Sequence, residues 1–193
     1  MGLRERKKEE TRHALSDAAL RLAVERGLEN VRVEDIAAAA DVSPRTFNNY
    51  FSSKREAIVW RAAERTLGLA RQLRERPVSE PLWDAITQAA LSQHRTARTP
   101  DEKWLSGVRL VLGSPALQGE FLRSHHTAEL ELTAAIAERT GTDPERDMSP
   151  RLIAGAVGLA NQVATEYWLE ADPPVSIENL LREALSLLRK EVS

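Results

Sequence analysis

The sequence lacks cysteine and has no long apolar run, and each absence excludes a class of protein. Without cysteine, the 193-residue chain forms no disulfide framework, no thiolate nucleophile and no cysteine-ligated metal site. No apolar run approaches the roughly 20 residues of a membrane span, and the N-terminal MGLRERKKEE has no apolar signal core. With 42% hydrophobic and 29% charged residues the composition is globular, and we expect a cytoplasmic protein.

Sequence motifs for catalysis are also missing. There is no glycine-rich phosphate loop, no nucleophile elbow and no HExxH. His125 and Glu129 have the i,i+4 spacing of a ligand pair, but a solvated pair is the simpler interpretation. The adjacent His125 and His126 point to different sides of a helix and cannot chelate one metal by themselves. We therefore expect no enzymatic activity, no cofactor and no metal site.

The segment from Val33 to Phe51 has the pattern of two short helices that meet at a tight turn. Asp41 belongs to the few residue types that tolerate a left-handed turn conformation. Ser43 can cap the second helix, and Pro44 is tolerated at the first helical position. These features predict a helix-turn-helix.

The polar residues of the second helix have the chemistry to contact DNA. Arginine and asparagine form bidentate hydrogen bonds with guanine and adenine edges, and threonine contacts phosphate or a thymine methyl. A net charge of −2 means that any basic surface must be local. Such a cluster precedes the motif, at Arg4, Arg6, Lys7, Lys8 and Arg12. The alternative is an ordinary helical hairpin whose polar face is merely solvated.

Helical periodicity extends through the rest of the chain, and no strand pattern of period two is present. The expected class is all-α, a three-helix DNA-binding domain followed by a larger helical domain for ligand binding and dimerisation. We place the domains at residues 1–54 and 55–193. Besides the motif, the expected helices are Thr11–Arg26, Lys54–Arg76, Leu82–Ala97, Asp101–Leu112, Pro115–Thr140, Pro150–Glu170 and Ile177–Val192.

Two segments carry a recognisable combination of residues, TRHALSDAALRLAVERG and VEDIAAAADVSPRTFNNYFSSKREAI. The second contains Ile36-Ala37, Val42-Ser43, Tyr50-Phe51 and Lys54 at characteristic positions. Over the first 60 or so residues the chain resembles the DNA-binding domain of the TetR family of bacterial transcriptional regulators. The resemblance implies a two-domain all-α dimer with a variable ligand domain, and phosphate contacts at Tyr50 and Lys54.

The chain departs from the family pattern at two positions. Asp41 replaces the usual turn glycine, and Asn48 stands where an aromatic residue is common. The segment SPRTFNNYF is more specifically similar to a subgroup that includes the mycofactocin-system regulator, whose effectors are acyl-CoA thioesters. The candidate DNA-binding residues are Thr11, Arg12, Arg32, Ser43, Pro44, Arg45, Thr46, Asn48, Asn49, Tyr50 and Lys54.

The helix Pro150–Trp168 is apolar or small almost all round and needs partners on both sides. With the last helix, Ile177–Val192, it predicts a four-helix interface between two copies of the chain about a two-fold axis. The alternative is a fully buried central helix in a monomer. If two copies of the chain dimerise in this way, replacing Ala160 or Val163 with arginine should give monomers.

An apolar cavity among the middle helices is the expected effector site, with core packing of the same aromatic residues as the alternative. Arg109 lies on an otherwise apolar face and needs a partner, which could be Glu129, another internal carboxylate or an anionic ligand. Asn161 is a further polar residue in apolar surroundings. The candidate pocket residues are Trp60, Trp83, Gln88, Trp104, Arg109, Phe121, His125 and Gln162.

Together these features predict a ligand-responsive repressor that a small apolar or acyl-CoA-type effector releases from a pseudo-palindromic operator. Lys54–Arg76 is expected to be the only helix that enters both domains and so to couple them. The alternative is a helical protein-interaction or metabolite-binding protein without sequence-specific DNA binding.

Overall fold

A computed structural model of the protein describes residues 2–95, 102–172 and 175–192, whose regular elements are all helical. The predicted all-α class is confirmed. A short 3₁₀ helix spans Leu28–Asn30. The α-helices are α1 Leu3–Arg26, α2 Val33–Ala39, α3 Pro44–Asn48, α4 Lys54–Glu75, α5 Leu82–Arg95, α6 Glu102–Gly113, α7 Pro115–Thr140, α8 Ser149–Glu170 and α9 Ile177–Val192.

Two helix boundaries differ from the prediction by more than two residues. The first helix begins at Leu3 rather than Thr11, because nothing in the intervening segment breaks a helix and Arg6 and Glu10 form an i,i+4 ion pair. The helix α3 ends at Asn48 rather than Phe51. The predicted end of a helix at Ala97 and the predicted start of the next at Asp101 lie outside the described residues.

One compact unit, the first unit, comprises Met1–Ala63 and Pro100–Ser124. Its core is built from α1, α2, α3, the beginning of α4, α6 and the first turns of α7. A side chain at Gly107 would come within 2.8 Å of Leu20 Cδ2, so this glycine lets α6 approach α1 closely. The largest fully buried side chains of this unit are Leu15, Ile36, Phe47, Phe51, Ile58 and Leu117.

The other compact unit, the second unit, comprises Glu64–Thr99 and His125–Ser193. Arg74 forms an ion pair with Glu138 at 2.9 Å, which ties α4 to α7. The core of the second unit contains six fully buried large side chains, Leu73 on α4, Ile86 on α5, Leu132 and Ile136 on α7, and Leu181 and Leu185 on α9. The small residues Ala154, Val157, Ala160 and Ala164 on α8 complete it.

Two helices, α4 and α7, contribute residues to both units. The prediction that Lys54–Arg76 is the only such element is therefore wrong. The reason is that α7 is continuous from Pro115 to Thr140, and its first turns pack Leu117 into the core of the first unit. Within the described residues, none of the helices is long and apolar enough to cross a bilayer.

Candidate nucleic-acid interface and ligand cavity

Local hydrogen bonds define the helix-turn-helix of the first unit. The backbone N–H of Arg32 donates to Asp35 Oδ2 at 3.1 Å and caps α2. Asp41 has a φ of 54°, the left-handed conformation expected of the turn. The N–H of Val42 then donates to the carbonyl of Ala37 at 2.9 Å, so the turn folds back on α2.

The short helix α3 is capped as the sequence predicts. The N–H of Thr46 donates to Ser43 Oγ at 3.1 Å, and Pro44 occupies the first turn. The hydroxyl of Thr46 lies 2.9 Å from the same Ser43 Oγ. The Thr46 hydroxyl is therefore engaged in the cap. Thr46 is half-buried, whereas Ser43 and Pro44 are exposed.

Burial separates α3 into an inner and an outer face. Phe47 is fully buried, and its ring centroid lies 5.8 Å from that of the buried Phe51. Arg45, Asn48 and Asn49 are exposed. An arginine and two asparagines, the residue types suited to base edges, therefore lie together on the outer face.

Lys54, at the start of α4, has its ammonium group on backbone carbonyls. Nζ donates to Leu28 O at 2.8 Å and to Val31 O at 2.9 Å. These bonds tie α4 to the segment that leads into α2, and they leave one of the three ammonium protons for another acceptor. The family resemblance suggests a phosphate contact at this position, whereas the geometry gives Lys54 a role in positioning the motif.

The residues of α1 that are predicted to contact DNA also interact with other groups of the protein. The guanidinium carbon of Arg12 lies 5.3 Å from the ring centroid of Phe51 and 5.1 Å from that of Trp60, within the range of cation–π attraction. Its Nε is buried and has no hydrogen-bond partner among the described residues. The hydroxyl of Thr11 donates to the carbonyl of Lys7 at 2.9 Å. Tyr50 packs half-buried on the core of the first unit, and Arg32 is exposed.

The candidate pocket residues divide between the two units. Trp60, Arg109 and Phe121 belong to the first unit, where Trp60 and Phe121 pack on the core and Arg109 is exposed. In the second unit, Gln162 is exposed and donates to Glu166 Oε1 at 2.9 Å. The other three of that unit, Trp83, Gln88 and His125, are half-buried, and the side chain of Trp104 lies outside the described part of the chain.

The second unit contains a small cavity of about 20 Å³, enough for one or two water molecules. Within the described part of the chain, none of the candidate pocket residues lines this cavity. Asn161, which the sequence marked as a polar residue in apolar surroundings, does line it. The polar lining consists of Arg65 and Thr66 on α4, Gln93 and His94 on α5, and Asn161 on α8. The apolar lining includes Leu69, Ala90, Leu132, Val157, Gly158 and Leu181.

The electrostatics of the cavity favour a neutral imidazole. Burial, and then the positive charge of Arg65, lower the pKa of His94, while a hydrogen bond with Asn161 and the carboxylate of Glu178 act in the opposite direction. Sequence patterns did not indicate Arg65, Gln93 or His94, because the three residues come from two helices and meet only through tertiary packing. A polar residue on the apolar face of a helix, as at His94, is the sequence pattern that could have indicated them.

Comparison with known proteins identifies the family. Residues 15–57 match the family described as "Bacterial regulatory proteins, tetR family", and residues 80–193 match the "MftR C-terminal domain". The chain belongs to the TetR family of transcriptional regulators. It is 33% identical to the transcriptional regulator TcmR of Streptomyces glaucescens, over 99% of this chain and 88% of TcmR. It is 28% identical to the mycofactocin biosynthesis regulator MftR of Mycobacterium tuberculosis, over 95% of this chain and 91% of MftR.

A solved TetR-family structure has the same fold. Thermus thermophilus FadR in complex with lauroyl-CoA is 21% identical, with a TM-score of 0.51 over 92% of each chain. These relatives are transcriptional regulators, so the prediction that the protein is not an enzyme is confirmed.

Proposed function

We propose that this TetR-family regulator is a cytoplasmic repressor that binds a pseudo-palindromic operator as a homodimer and is released by an apolar effector. The observation that carries the proposal is the outer face of α3, where Arg45, Asn48 and Asn49 are exposed above the buried Phe47. A helix that displays these side chains can enter the major groove and read base edges.

The residues of α3 and around it would contribute in three ways. Arg45, Asn48 and Asn49 are proposed to contact bases. Ser43, Pro44, Thr46 and Tyr50, together with Arg32 at the start of α2, border α3 and are proposed to contact the phosphate backbone. Arg12 and Lys54 are held by contacts with other segments of the first unit and are proposed to position α3. The hydroxyl of Thr11 donates within its own helix, and Thr11 is proposed to contact the phosphate backbone.

Dimerisation through α8 and α9 is supported by an exposed apolar stripe. Leu152, Leu159, Val163 and Tyr167 follow one another at helical spacing on α8, and three of them are more than half exposed. Leu187 on α9 is also 57% exposed. Contiguous exposed apolar surface of this kind marks an interface, and a two-fold axis would present two copies of α3 to the two half-sites.

An apolar anion, with an acyl-CoA as the first candidate, is the proposed effector. The support is the lauroyl-CoA bound by the FadR relative and the apolar lining of the cavity in the second unit. The effector can weaken operator binding only by its difference in affinity for the DNA-bound and released conformations, typically about 1–3 kcal/mol of coupling.

An operator selected from a random DNA library allows the proposal to be tested. Fluorescence anisotropy should show tight binding of the selected operator, with salt-sensitive affinity. Lauroyl-CoA should weaken operator binding by the same factor by which the operator weakens lauroyl-CoA binding. Operator affinity that is unchanged by lauroyl-CoA would exclude acyl-CoA release, and failure to select any operator would exclude sequence-specific regulation. A scrambled sequence of equal length is the control.

A further inference from the structure

Side chains of α1 bind α4 along one line of contacts inside the first unit. Arg61 Nε lies 3.3 Å from Asp17 Oδ1, and Nη1 of the same guanidinium donates to His13 Nδ1. The buried hydroxyl of Ser16 donates to the carbonyl of Ala57 at 2.6 Å. Because the three α1 residues lie within about one helical turn, these bonds form a single contact, which we call the α1–α4 seam.

A row of aromatic rings leads from the α1–α4 seam to α3. The imidazole of His13 lies edge-on to Trp60, with ring centroids 5.0 Å apart. Trp60 lies 6.0 Å from Phe51, and Phe51 lies 5.8 Å from Phe47. These distances are in the range of favourable aromatic contacts. Since Phe47 is the buried residue of α3, the row connects His13 to the inner face of the helix that is proposed to contact bases.

The hydrogen bond between Arg61 and His13 requires a neutral imidazole. Arginine offers only N–H donors and keeps its charge in proteins, so Nδ1 of His13 must be the acceptor. The single N–H of the ring is then on Nε2. A second proton, on Nδ1, would remove the acceptor and place a positive charge against the guanidinium of Arg61. Histidine is the side chain that gains such a proton between about pH 8 and pH 5.

The charges around His13 come from α1, α4 and α6. Two cations are close to it, Arg61 and Arg12, whose guanidinium carbon lies 5.1 Å from the ring centroid of Trp60. The other charged residues are Asp17, which pairs with Arg61, Glu10, which pairs with Arg6, the exposed Glu9, and, among the described side chains of α6, the exposed Arg109. A protonated His13 would therefore compete with Arg61 for Asp17.

We propose that Arg61 is a positioning residue for operator binding, which holds α4 on α1 while His13 is neutral and releases it when His13 is protonated. The inference rests on the proposed operator binding and adds a dependence on pH to it. Once the seam opens, α4 and the aromatic row no longer fix α3 in one orientation. Ordering α3 on the operator then costs free energy, so operator binding weakens.

The expected sign of this effect is opposite to the direct effect of acid on a DNA-binding protein. Protonation adds positive charge, which by itself strengthens binding to phosphates. A fall in operator affinity as the pH falls is therefore evidence for an opened seam and not for charge alone.

The pH profile of operator affinity, measured by anisotropy at constant ionic strength, tests the inference. Wild-type affinity should fall about 10-fold between about pH 8 and about pH 5.5, the order of one hydrogen bond to a charged group. His13→Asn offers an amide oxygen near the position of Nδ1 and does not titrate. It should keep wild-type affinity at the higher pH and lose most of the fall. His126→Asn, at an exposed histidine of α7, is the matched control and should follow the wild type.

Replacing Arg61 tests the positioning role directly. Arg61→Leu should bind the operator about 10-fold more weakly than the wild type at the higher pH and show little further loss at the lower pH. Arg71→Leu, at an exposed arginine farther along α4, is the control for loss of charge and should keep the wild-type pH profile. Wild-type affinity of a folded Arg61→Leu protein at the higher pH would overturn the positioning role.

Nitrogen NMR of the histidine rings examines the seam without DNA. At the higher pH we expect the Nε2–H tautomer for His13, and Arg61→Leu should shift its Nδ1 resonance, whereas Arg71→Leu should not. An Nδ1–H tautomer would overturn the inference. Circular dichroism at both pH values establishes that each variant is folded, and if Arg61→Leu is not, the His13→Asn profile and the tautomer decide.

The outcomes separate this inference from the proposed function. Operator affinity that is constant or rises as the pH falls, or an equal fall in the wild type and His13→Asn, would overturn the inference alone. Failure of the wild type to bind any operator at either pH would overturn the proposed function together with the inference.

Discussion

The ammonium group of Lys54 donates to the backbone carbonyl of Val31, 2.9 Å away. A second bond to the carbonyl of Leu28 gives this side chain two acceptors in the segment that precedes α2. The base of α4 is thereby fixed against the start of the helix-turn-helix. Lys54 acts first as a structural residue of the DNA-binding unit, whatever contact its third proton makes with DNA.

Replacing Lys54 with methionine keeps most of the side-chain stem but removes both hydrogen bonds. We expect Lys54→Met to lower the free energy of unfolding by about 1.5–3 kcal/mol, the contribution of hydrogen bonds to a charged group. Operator affinity should fall for all sequences alike, because α3 is less well positioned. Denaturant unfolding and anisotropy measure the two effects.

The Arg55→Met variant is the control, because it removes one positive charge at the neighbouring position. Arg55 forms only a 4.0 Å ion pair with Glu29 and is well exposed, so its loss should cost less than about 1 kcal/mol. If Lys54→Met keeps wild-type stability and lowers the salt slope of binding by about 0.9, the value for one phosphate contact, the positioning role is refuted.

Asp41 is the residue that adopts the left-handed conformation in the turn, with a φ of 54°. Asp41→Gly should keep or raise the melting temperature, because glycine populates this region without steric cost. Asp41→Ala should lower stability by about 1 kcal/mol, since Cβ opposes the conformation and alanine has no side-chain acceptor. Thermal unfolding compares the two, and equal stability of both variants would rule out backbone strain at this turn.

The apolar stripe of α8 gives a prediction about assembly. Val163→Arg places a charge on the exposed stripe and should produce a folded monomer with weak operator affinity, as measured by light scattering and anisotropy. Leu122→Arg, at an exposed apolar position outside the stripe, should remain dimeric. A dimeric Val163→Arg protein would exclude α8 from the interface.

Arginine at Ala160 has a different expected effect from the one that the sequence suggested. Ala160 is 6% exposed and belongs to the core of the second unit itself. An unpaired charge there should unfold this unit rather than separate a folded dimer. The sequence-based prediction of monomers from this substitution is corrected for that reason.

Histidine burial predicts how stability depends on pH. Burial lowers the pKa of both His94 and His125 from the usual 6.5. Between 6.5 and the lower folded values the unfolded chain binds more protons, so the free energy of unfolding should fall as the pH falls below about 6.5. The His94→Gln/His125→Gln variant should lose part of this dependence in denaturant titrations, and the exposed His126→Gln is the control. If the free energy of unfolding of the double variant depends on pH as it does in the wild type, the two histidines are not the source of this dependence.

Much of the fold could be predicted from local sequence signals. The helix α1 ends at Arg26 as predicted, before Gly27 with its φ of 81°, and Ser53 Oγ accepts from the N–H of Glu56 at the start of α4. Proline and turn-forming residues bound α7 and α8, whose ranges agree closely with the prediction. Where strong caps and breakers are absent, as at Leu3, periodicity alone misplaced the boundary.

The candidate sites were predictable to different degrees. The residues of α3 follow one another in sequence, so their inner and outer faces can be assigned from helical spacing. The cavity depends on Arg65, His94 and Asn161, which lie far apart in the chain and meet only when α4, α5 and α8 pack. The role of Lys54 was equally hidden, because its acceptors are backbone carbonyls that carry no residue-specific signal.

Selection of bound DNA from a random library, with wild-type protein and Arg45→Ala in parallel, tests most directly whether α3 reads an operator. We predict that the wild type enriches two inverted half-sites about one helical turn, or a small multiple, apart. Arg45→Ala should lose preference at one symmetric base pair and about 1–3 kcal/mol of affinity. Enrichment of no sequence by the wild type, or identical base preferences in both proteins, would contradict the account.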